Sequence, residues 1–256
     1  MPDLLTSLSD GVLTLTLNRP DVFNAMSDEM SDGLASELES VPSRPDVRAV
    51  VIVGAGPAFS AGADISGENA HERFDVRALD RANRMVRAVT SCDKPVLAAV
   101  NGVAAGVGCS VALACDLVVA ASSASFLLAF ARIGLMPDGG ASYTVAASIG
   151  RARAMRMALL AEPLSAADAH ACGLVSHVVD DADFVETVDK LARRLSSGPP
   201  LGFAATKKAI NAATLSGLDD ALERERAGQT ILLRTDDVAE GMRAFSERRR
   251  PVFRGE

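Results

Sequence analysis

Tryptophan is absent from this 256-residue sequence, tyrosine occurs once, and aromatic residues make up only 4% of it. Proteins that grip single-stranded nucleic acid stack bases on aromatic rings, and so thin a supply argues against such a platform. A formal net charge of -7 works against a nucleic-acid or anionic-membrane partner as well. Histidine occurs three times, and no His, Cys, Asp or Glu group has metal-ligand spacing, so no metal is expected. The four cysteines, at 92, 109, 115 and 172, lack CxxC spacing, and three sit in apolar segments, which reads as free buried thiols. No apolar run approaches the ~18 residues of a membrane span, and no signal peptide opens the chain. A reducing cytoplasm is the expected location.

What is present is core-forming material. Hydrophobic residues make up 48% of the chain, rich in Ala, Val and Leu, which at this length suits one α/β domain with a helical appendage. Leu13, Leu15 and Leu17 alternate with Thr14 and Thr16, the pattern of a half-buried strand. The runs at 48–53 and 95–100 are apolar and bounded by Gly and Pro, as in strands covered on both faces. Further strands are predicted at 117–120 and 174–179. Ser27 and Ser165 are placed to cap helices, and others are predicted at about 107–114, 141–149 and 151–161. Residues 67–78 are polar without a clear period and read as a mobile segment before a helix at about 79–91. From Asp181 onward the chain reads helical, interrupted at Ser197-Gly-Pro-Pro200, with helices at about 200–213, 217–233 and 236–247. Early strands and late helices imply a sheet-based core over 1–196 and a helical region over 197–256.

Two small-residue segments follow the buried strands: Phe59-Ser-Ala-Gly-Ala-Asp64 and Asn101-Gly-Val-Ala-Ala-Gly-Val-Gly-Cys-Ser110. Glycine and alanine at a strand end let the backbone approach a ligand and aim its N–H groups at it. Two such donors from separate strands are what a developing oxyanion needs. A dinucleotide-binding reading fails on spacing, because Phe59 and Val111 stand where the third glycine of GxGxxG belongs after Gly54-Ala-Gly56 and Gly106-Val-Gly108.

This ordered pair resembles the crotonase superfamily, the enoyl-CoA hydratase/isomerase family. The likeness runs through nearly the whole chain: Leu17-Asn-Arg-Pro20, Asn24-Ala25, Ala114-Cys-Asp116, Ile133-Gly-Leu-Met-Pro-Asp-Gly-Gly140, Leu164-Ser-Ala-Ala-Asp-Ala169, Gly173-Leu-Val-Ser-His-Val-Val179 and Glu240-Gly-Met-Arg-Ala-Phe245. The resemblance implies an α/β spiral of ββα turns with a C-terminal helical trimerisation region, hence a homotrimer or a dimer of trimers. It implies an acyl-CoA substrate, with coenzyme A as part of the substrate and no other cofactor. Carried over by motif, the oxyanion donors are the backbone N–H groups of Ala63, beside Gly62, and of Val107, where the family usually has glycine. Valine there is bulky and disfavours positive φ. The same resemblance assigns contacts with the CoA thioester to Arg19, Asn24, Ala25, Ala61, Gly62, Asp64, Gly108, Ser110 and Phe130, with Asp64 also read as a brace for its loop. Arg248-Arg-Arg250 reads either as a CoA-phosphate contact or as a solvated helix end, and Ser66 stands where many relatives carry lysine.

The acid/base positions depart from the hydratase pattern. Hydratases of this family use two glutamates; this chain has Ser110 at the first position, and the second falls on Phe130 or its neighbours. A hydroxyl is a poor general base and a phenyl ring excludes water, so ordinary hydration is disfavoured. Asp138, in Pro137-Asp-Gly-Gly140, resembles the aspartate of the epoxyphenylacetyl-CoA isomerases and 4-chlorobenzoyl-CoA dehalogenases, and Gly150-Arg-Ala-Arg-Ala-Met155 resembles the former group. Asp before Gly-Gly is also a turn former and helix N-cap. The expectation is an enoyl-CoA isomerase with Asp138 as proton shuttle; a non-catalytic acyl-CoA binder and a weak hydratase are the alternatives.

Overall fold

A computed structural model describes residues 1–66, 71 and 74–256. Two β-sheets form its core. The larger has six strands, β1 (Leu4–Ser9), β2 (Val12–Leu17), β3 (Ala49–Gly54), β5 (Val96–Val100), β7 (Leu117–Ala121) and β10 (His177–Val179), adjacent in that order. All its pairings are parallel except β1 with β2. The smaller sheet has β4 (Ala58–Ser60), β6 (Val103–Ala105), β8 (Ser125–Leu127) and β9 (Leu164–Ser165).

The connectivity explains the spiral. Three of the long parallel strands are each followed at once by a short strand of the second sheet: β3 by β4, β5 by β6, β7 by β8. The chain then crosses back through helical segments. The first two crossings run through α2 (Val76–Ser91) and α3 (Gly106–Ala114). The strand reading held at β2, whose Leu13, Leu15 and Leu17 are buried, and at β5, which is buried throughout. The three-residue strands of the second sheet, β4, β6 and β8, escaped it, because three residues cannot establish a period of two. Strand β1 was also missed, since every residue after Leu4 is exposed and no buried face marks it. Its one signal was Asp10-Gly11, both in the left-handed region at φ 51° and 76°, the dipeptide of a tight hairpin.

Helix α1 (Asp28–Ser40) starts where expected, with Ser27 Oγ accepting from Met30 N at 3.1 Å, and buries Met30, Leu34 and Leu38. Helix α2 begins at Val76 rather than 79, because the Asp75 carboxylate accepts from Arg77 N at 2.8 Å. Half of the segment read as mobile, residues 67–70 and 72–73 of 67–78, lies outside the described residues. Helices α4 (Ala141–Ile149), α5 (Arg151–Leu160) and α6 (Ala166–Ala171) follow, the last capped by Ser165. Strand β10 is shorter than the predicted 174–179, as Leu174 N turns back to Ala169 O at 2.8 Å.

Helix α7 (Phe184–Ser196) lies against the large sheet, and three more helices end the chain: α8 (Pro200–Thr214), α9 (Leu218–Leu232) and α10 (Asp236–Ser246). They pack unequally. Helix α9 lies against α2 and α4, α10 lies against the 3-10 segment Ala129–Ile133, and α8 buries no residue. Lys207 of α8 bonds Asp116 at 2.8 Å, and Asp116 accepts from Val96 N at 2.7 Å. Burial raises the Asp116 carboxyl, and the Lys207 ammonium works against that rise. Asp116 is thus a structural tie between sheet and helix. All four cysteines are free, and burial pushes the Cys109 thiol up to about 12.

Candidate active site

Both small-residue segments lie where a strand of the small sheet ends. After β4 the chain runs into Ala61-Gly62-Ala63, with Gly62 at φ 98°. A Cβ on Gly62 would sit 2.9 Å from Ala105 O, so only glycine lets the two strand ends approach this closely. Gly62 O accepts from Met26 N at 2.8 Å and Asp64 N donates to Met26 O at 3.2 Å. These bonds fix the backbone on either side of Ala63, while its own N–H has no protein acceptor among the described residues.

The second donor arises differently. Strand β6 passes directly into α3, and Ala105 at the N-cap offers no side-chain acceptor. The first N–H groups of α3, Val107's among them, are therefore left without intrahelical partners, at the positive end of the helix dipole. The positive φ that valine would resist falls on Gly106, at 52°, and Val107 itself has ordinary helical geometry. The valine substitution costs no backbone strain.

Two cavities meet at these donors. One, of about 530 Å³, is mainly apolar, with Phe23, Leu127, Phe130, Ile133, Leu135 and Phe245 in its wall. The other, of about 360 Å³, is more polar and reaches Ser27, Ser31, Arg77 and Arg81. Ala63, Asp64, Phe74, Val107 and Asp138 line both. Phe245 comes from α10, so one C-terminal helix contributes to the wall of this cavity.

Asp138 stands at that junction in an environment hostile to charge. It is 8% exposed; Oδ2 accepts from Gln229 Nε2 at 3.0 Å, and Oδ1 is buried with no partner. Burial, reinforced by the nearby Glu225 charge, pushes its carboxyl up to about 8. It does not cap α4. Gly140 N and Ser142 N instead donate to the two oxygens of Glu225, at 2.6 and 2.9 Å. Glu225, reaching across from α9, does the capping that the Asp-Gly-Gly motif suggested for Asp138.

The other expected site residues divide. Ala25, Ala61, Gly62, Asp64 and Phe130 line the apolar cavity. Arg19, Asn24, Gly108 and Ser110 do not. Asn24 is fully buried, with Nδ2 donating to Ala55 O and Ala58 O at 2.8 Å each. Arg19 bonds Asp64 Oδ2 at 2.8 Å and Ala25 O at 2.7 Å. Gly108 leaves room for Ser60, which a Cβ would meet at 2.6 Å. Ser110, also fully buried, donates to the Asp138 main-chain carbonyl at 2.8 Å. Asn24, Gly108 and Ser110 are buried and build the site from behind, which corrects the expectation that they touch substrate, whereas Arg19 is partly exposed and braces Asp64. In the Arg248–Arg250 run, Arg249 is held by Glu240 at 2.8 Å and also pairs with Glu247. Glu225 and Gln229 went unnoticed in the sequence, because nothing local marks a residue on a distant helix as a neighbour of Asp138.

Residues 7–256 match the enoyl-CoA hydratase/isomerase family. The chain is 41% identical over 260 residues to the 1,2-epoxyphenylacetyl-CoA isomerase of Escherichia coli K12, covering 100% of this chain and 99% of that protein. It is 42% identical over 250 residues to a probable enoyl-CoA hydratase of Rhodobacter capsulatus, covering 97% and 96%. A crystal structure of an enoyl-CoA hydratase from Mycobacterium avium subsp. paratuberculosis K-10 superposes with a TM-score of 0.93 at 50% identity, covering 98% of each chain. Two orphaned backbone donors at the strand ends of a ββα spiral, matched along the whole length, make this chain a member of the enoyl-CoA hydratase/isomerase family, within the crotonase superfamily.

Proposed function

We propose that the protein is an acyl-CoA isomerase that moves a proton between two carbons of a CoA thioester. The thioester oxygen would sit between the Ala63 and Val107 N–H groups, which stabilise the enolate; one such donor is typically worth about 3–4 kcal/mol in the transition state. The Asp138 carboxylate takes a proton from one carbon, so that a C–H bond breaks and an O–H bond forms. The carbon's electron pair passes into the enolate, and the same proton returns at another carbon. No group beyond the thioester itself enters this balance.

One observation carries the reading: the unpartnered Oδ1 of Asp138, buried at the junction of the cavities that hold both donors. It is supported by the absence of a carboxylate at Ser110 and Phe130, and by similarity to a relative named as an isomerase. Hydration is the second reading, because a relative of equal similarity is named as a hydratase. As the substrate we assign an acyl-CoA with a mainly apolar acyl group, matching the cavity wall. We also assign a homotrimer or a dimer of trimers. Leu201 and Ile210 on α8, 85% and 55% exposed, supply apolar surface for such contacts. Sedimentation analysis tests that assignment, and a monomer at micromolar concentration would sink it.

The test of the reaction is Asp138→Asn assayed on a panel of 2-enoyl- and 3-enoyl-CoA thioesters. Isomerisation should fall by about 10²–10⁴-fold, with thioester affinity by calorimetry within a few-fold of the parent. Full isomerase activity in that variant, or hydration as the parent protein's only activity, overturns the proposal.

A further inference from the structure

Asp138 is held unevenly by its neighbours. Gln229 Nε2 lies 2.7 Å from Met136 O and 3.0 Å from Asp138 Oδ2. Two acceptors converge on one nitrogen, which fixes the orientation of the amide; an oxygen in that place would face two other oxygens. Gln229 is 1% exposed, so water does not compete for these bonds. The amide thereby clamps the carboxylate to the main chain two residues before it. Ser110 supports the same turn from below through the Asp138 carbonyl, at 2.8 Å.

We propose that Gln229 is a positioning residue for Asp138, pinning Oδ2 so that Oδ1 is the one oxygen that takes the proton from substrate and returns it. This rests on the reading of Asp138 as the proton shuttle. A donor on Oδ2 favours the ionised carboxylate, so Gln229 opposes the effects that keep Asp138 protonated. Of the charged groups around Asp138, Glu225 on α9 is the one that adds to the burial effect. The others lining its cavities are engaged elsewhere: Asp64 with Arg19, Arg77 with Asp75, Arg81 with Asp28 and Asp32, and Arg132 with Ala161 O.

Gln229→Leu removes the donor at similar volume, and Gln229→Glu keeps the shape. The first readout is isomerisation of the best substrate of the 3-enoyl-CoA panel. Gln229→Leu should lower kcat by about 10–100-fold with KM within about threefold, and raise the midpoint of the pH–rate profile by about 0.5–1 unit. Gln229→Glu should raise the midpoint further, because a second carboxyl then faces Oδ2. The second readout needs no turnover: the infrared carbonyl band of protonated Asp138, identified by its loss in Asp138→Asn, is followed against pH. In Gln229→Leu that band should shift in frequency and titrate at higher pH.

An unchanged kcat and pH midpoint, or an unchanged infrared titration, in a variant that melts like the parent overturns the positioning role. A fully active Asp138→Asn protein instead removes the shuttle reading beneath it, and the two failures are told apart by that variant alone.

Discussion

Two aspartates line the same pair of cavities, and their surroundings differ in hydrogen-bond supply and in the direction of their carboxyl shifts. Asp64, in the loop after β4, is saturated. Its Oδ1 accepts from Ser66 N at 3.1 Å and from Ser66 Oγ, and its Oδ2 from Arg19 at 2.8 Å. Burial alone would raise its carboxyl, but the bonds from Ser66 and Arg19 outweigh that and hold it below the usual carboxylate range. Asp138, in the turn before α4, has one side-chain donor and one bare oxygen, and burial with the Glu225 charge drives its carboxyl up to about 8. The same residue type is thus a brace in one loop and, in the reaction proposed above, the proton carrier in the other. Hydrogen-bond supply decides which, since a carboxylate with its acceptors filled gains little from taking a proton.

The contrast breaks most visibly if the two aspartates are exchanged in importance. Asp138→Asn should lose about 10²–10⁴-fold in kcat. Asp64→Asn should lose roughly tenfold in kcat/KM, by loosening the backbone that carries the Ala63 donor and leaving Arg19 without its partner. Steady-state kinetics on both variants decide the matter: equal losses would mean that Asp64, too, takes part in proton transfer.

A smaller effect is thermal. The Asp138 carboxyl lies above its unfolded value, so the folded state holds an extra proton between about pH 4 and 8. Its contribution to stability is therefore full below the unfolded value and is lost as pH rises through about 8. Asp138→Asn removes a buried charge that exists only above that range. It should melt about 5 °C higher than the parent at pH 9, with the gain shrinking as pH falls toward 5. The reverse holds for Asp64, whose lowered carboxyl lends stability above the unfolded value and loses it on acidification. Asp64→Asn should melt lower than the parent at neutral pH, and scanning calorimetry across pH shows whether the two variants move in opposite directions.

The difference between the aspartates also marks how far the sequence could be read. Strand β5, buried at every position, follows from its unbroken apolar run, and the face of α1 formed by Met30, Leu34 and Leu38 from hydrophobic period. The small residues at Ala61–Ala63 and Gly106–Gly108 pointed to two strand ends with free backbone donors, because close backbone approach demands such residues locally. Asp138 was visible as a residue but not as an environment. Its two readings, cap or base, are separated by Glu225 and Gln229, more than eighty positions away on α9. Contacts of that range leave no periodic trace. Ser110 erred for the same reason: its place in the motif implied substrate contact, and only packing turns its hydroxyl toward the Asp138 carbonyl.

Glu225→Gln makes the finest cut, because it separates charge from burial at Asp138. Both effects raise that carboxyl, burial first and the Glu225 charge second. Glutamine keeps one oxygen for the α4 N-terminus but must turn an amide toward the other N–H, so either Gly140 or Ser142 loses its acceptor. That loss should lower the melting temperature by a few degrees, at about 1–2 kcal/mol for a buried unsatisfied donor. Removing the negative charge should meanwhile move the pH–rate midpoint down by roughly half a unit, opposite to the shift expected for Gln229→Leu. A lowered midpoint with a lowered melting temperature means that Glu225 acts on Asp138 through charge as well as structure. A lowered melting temperature at an unmoved midpoint means that the Glu225 charge does not raise the carboxyl, and that α9 acts on Asp138 only through Gln229.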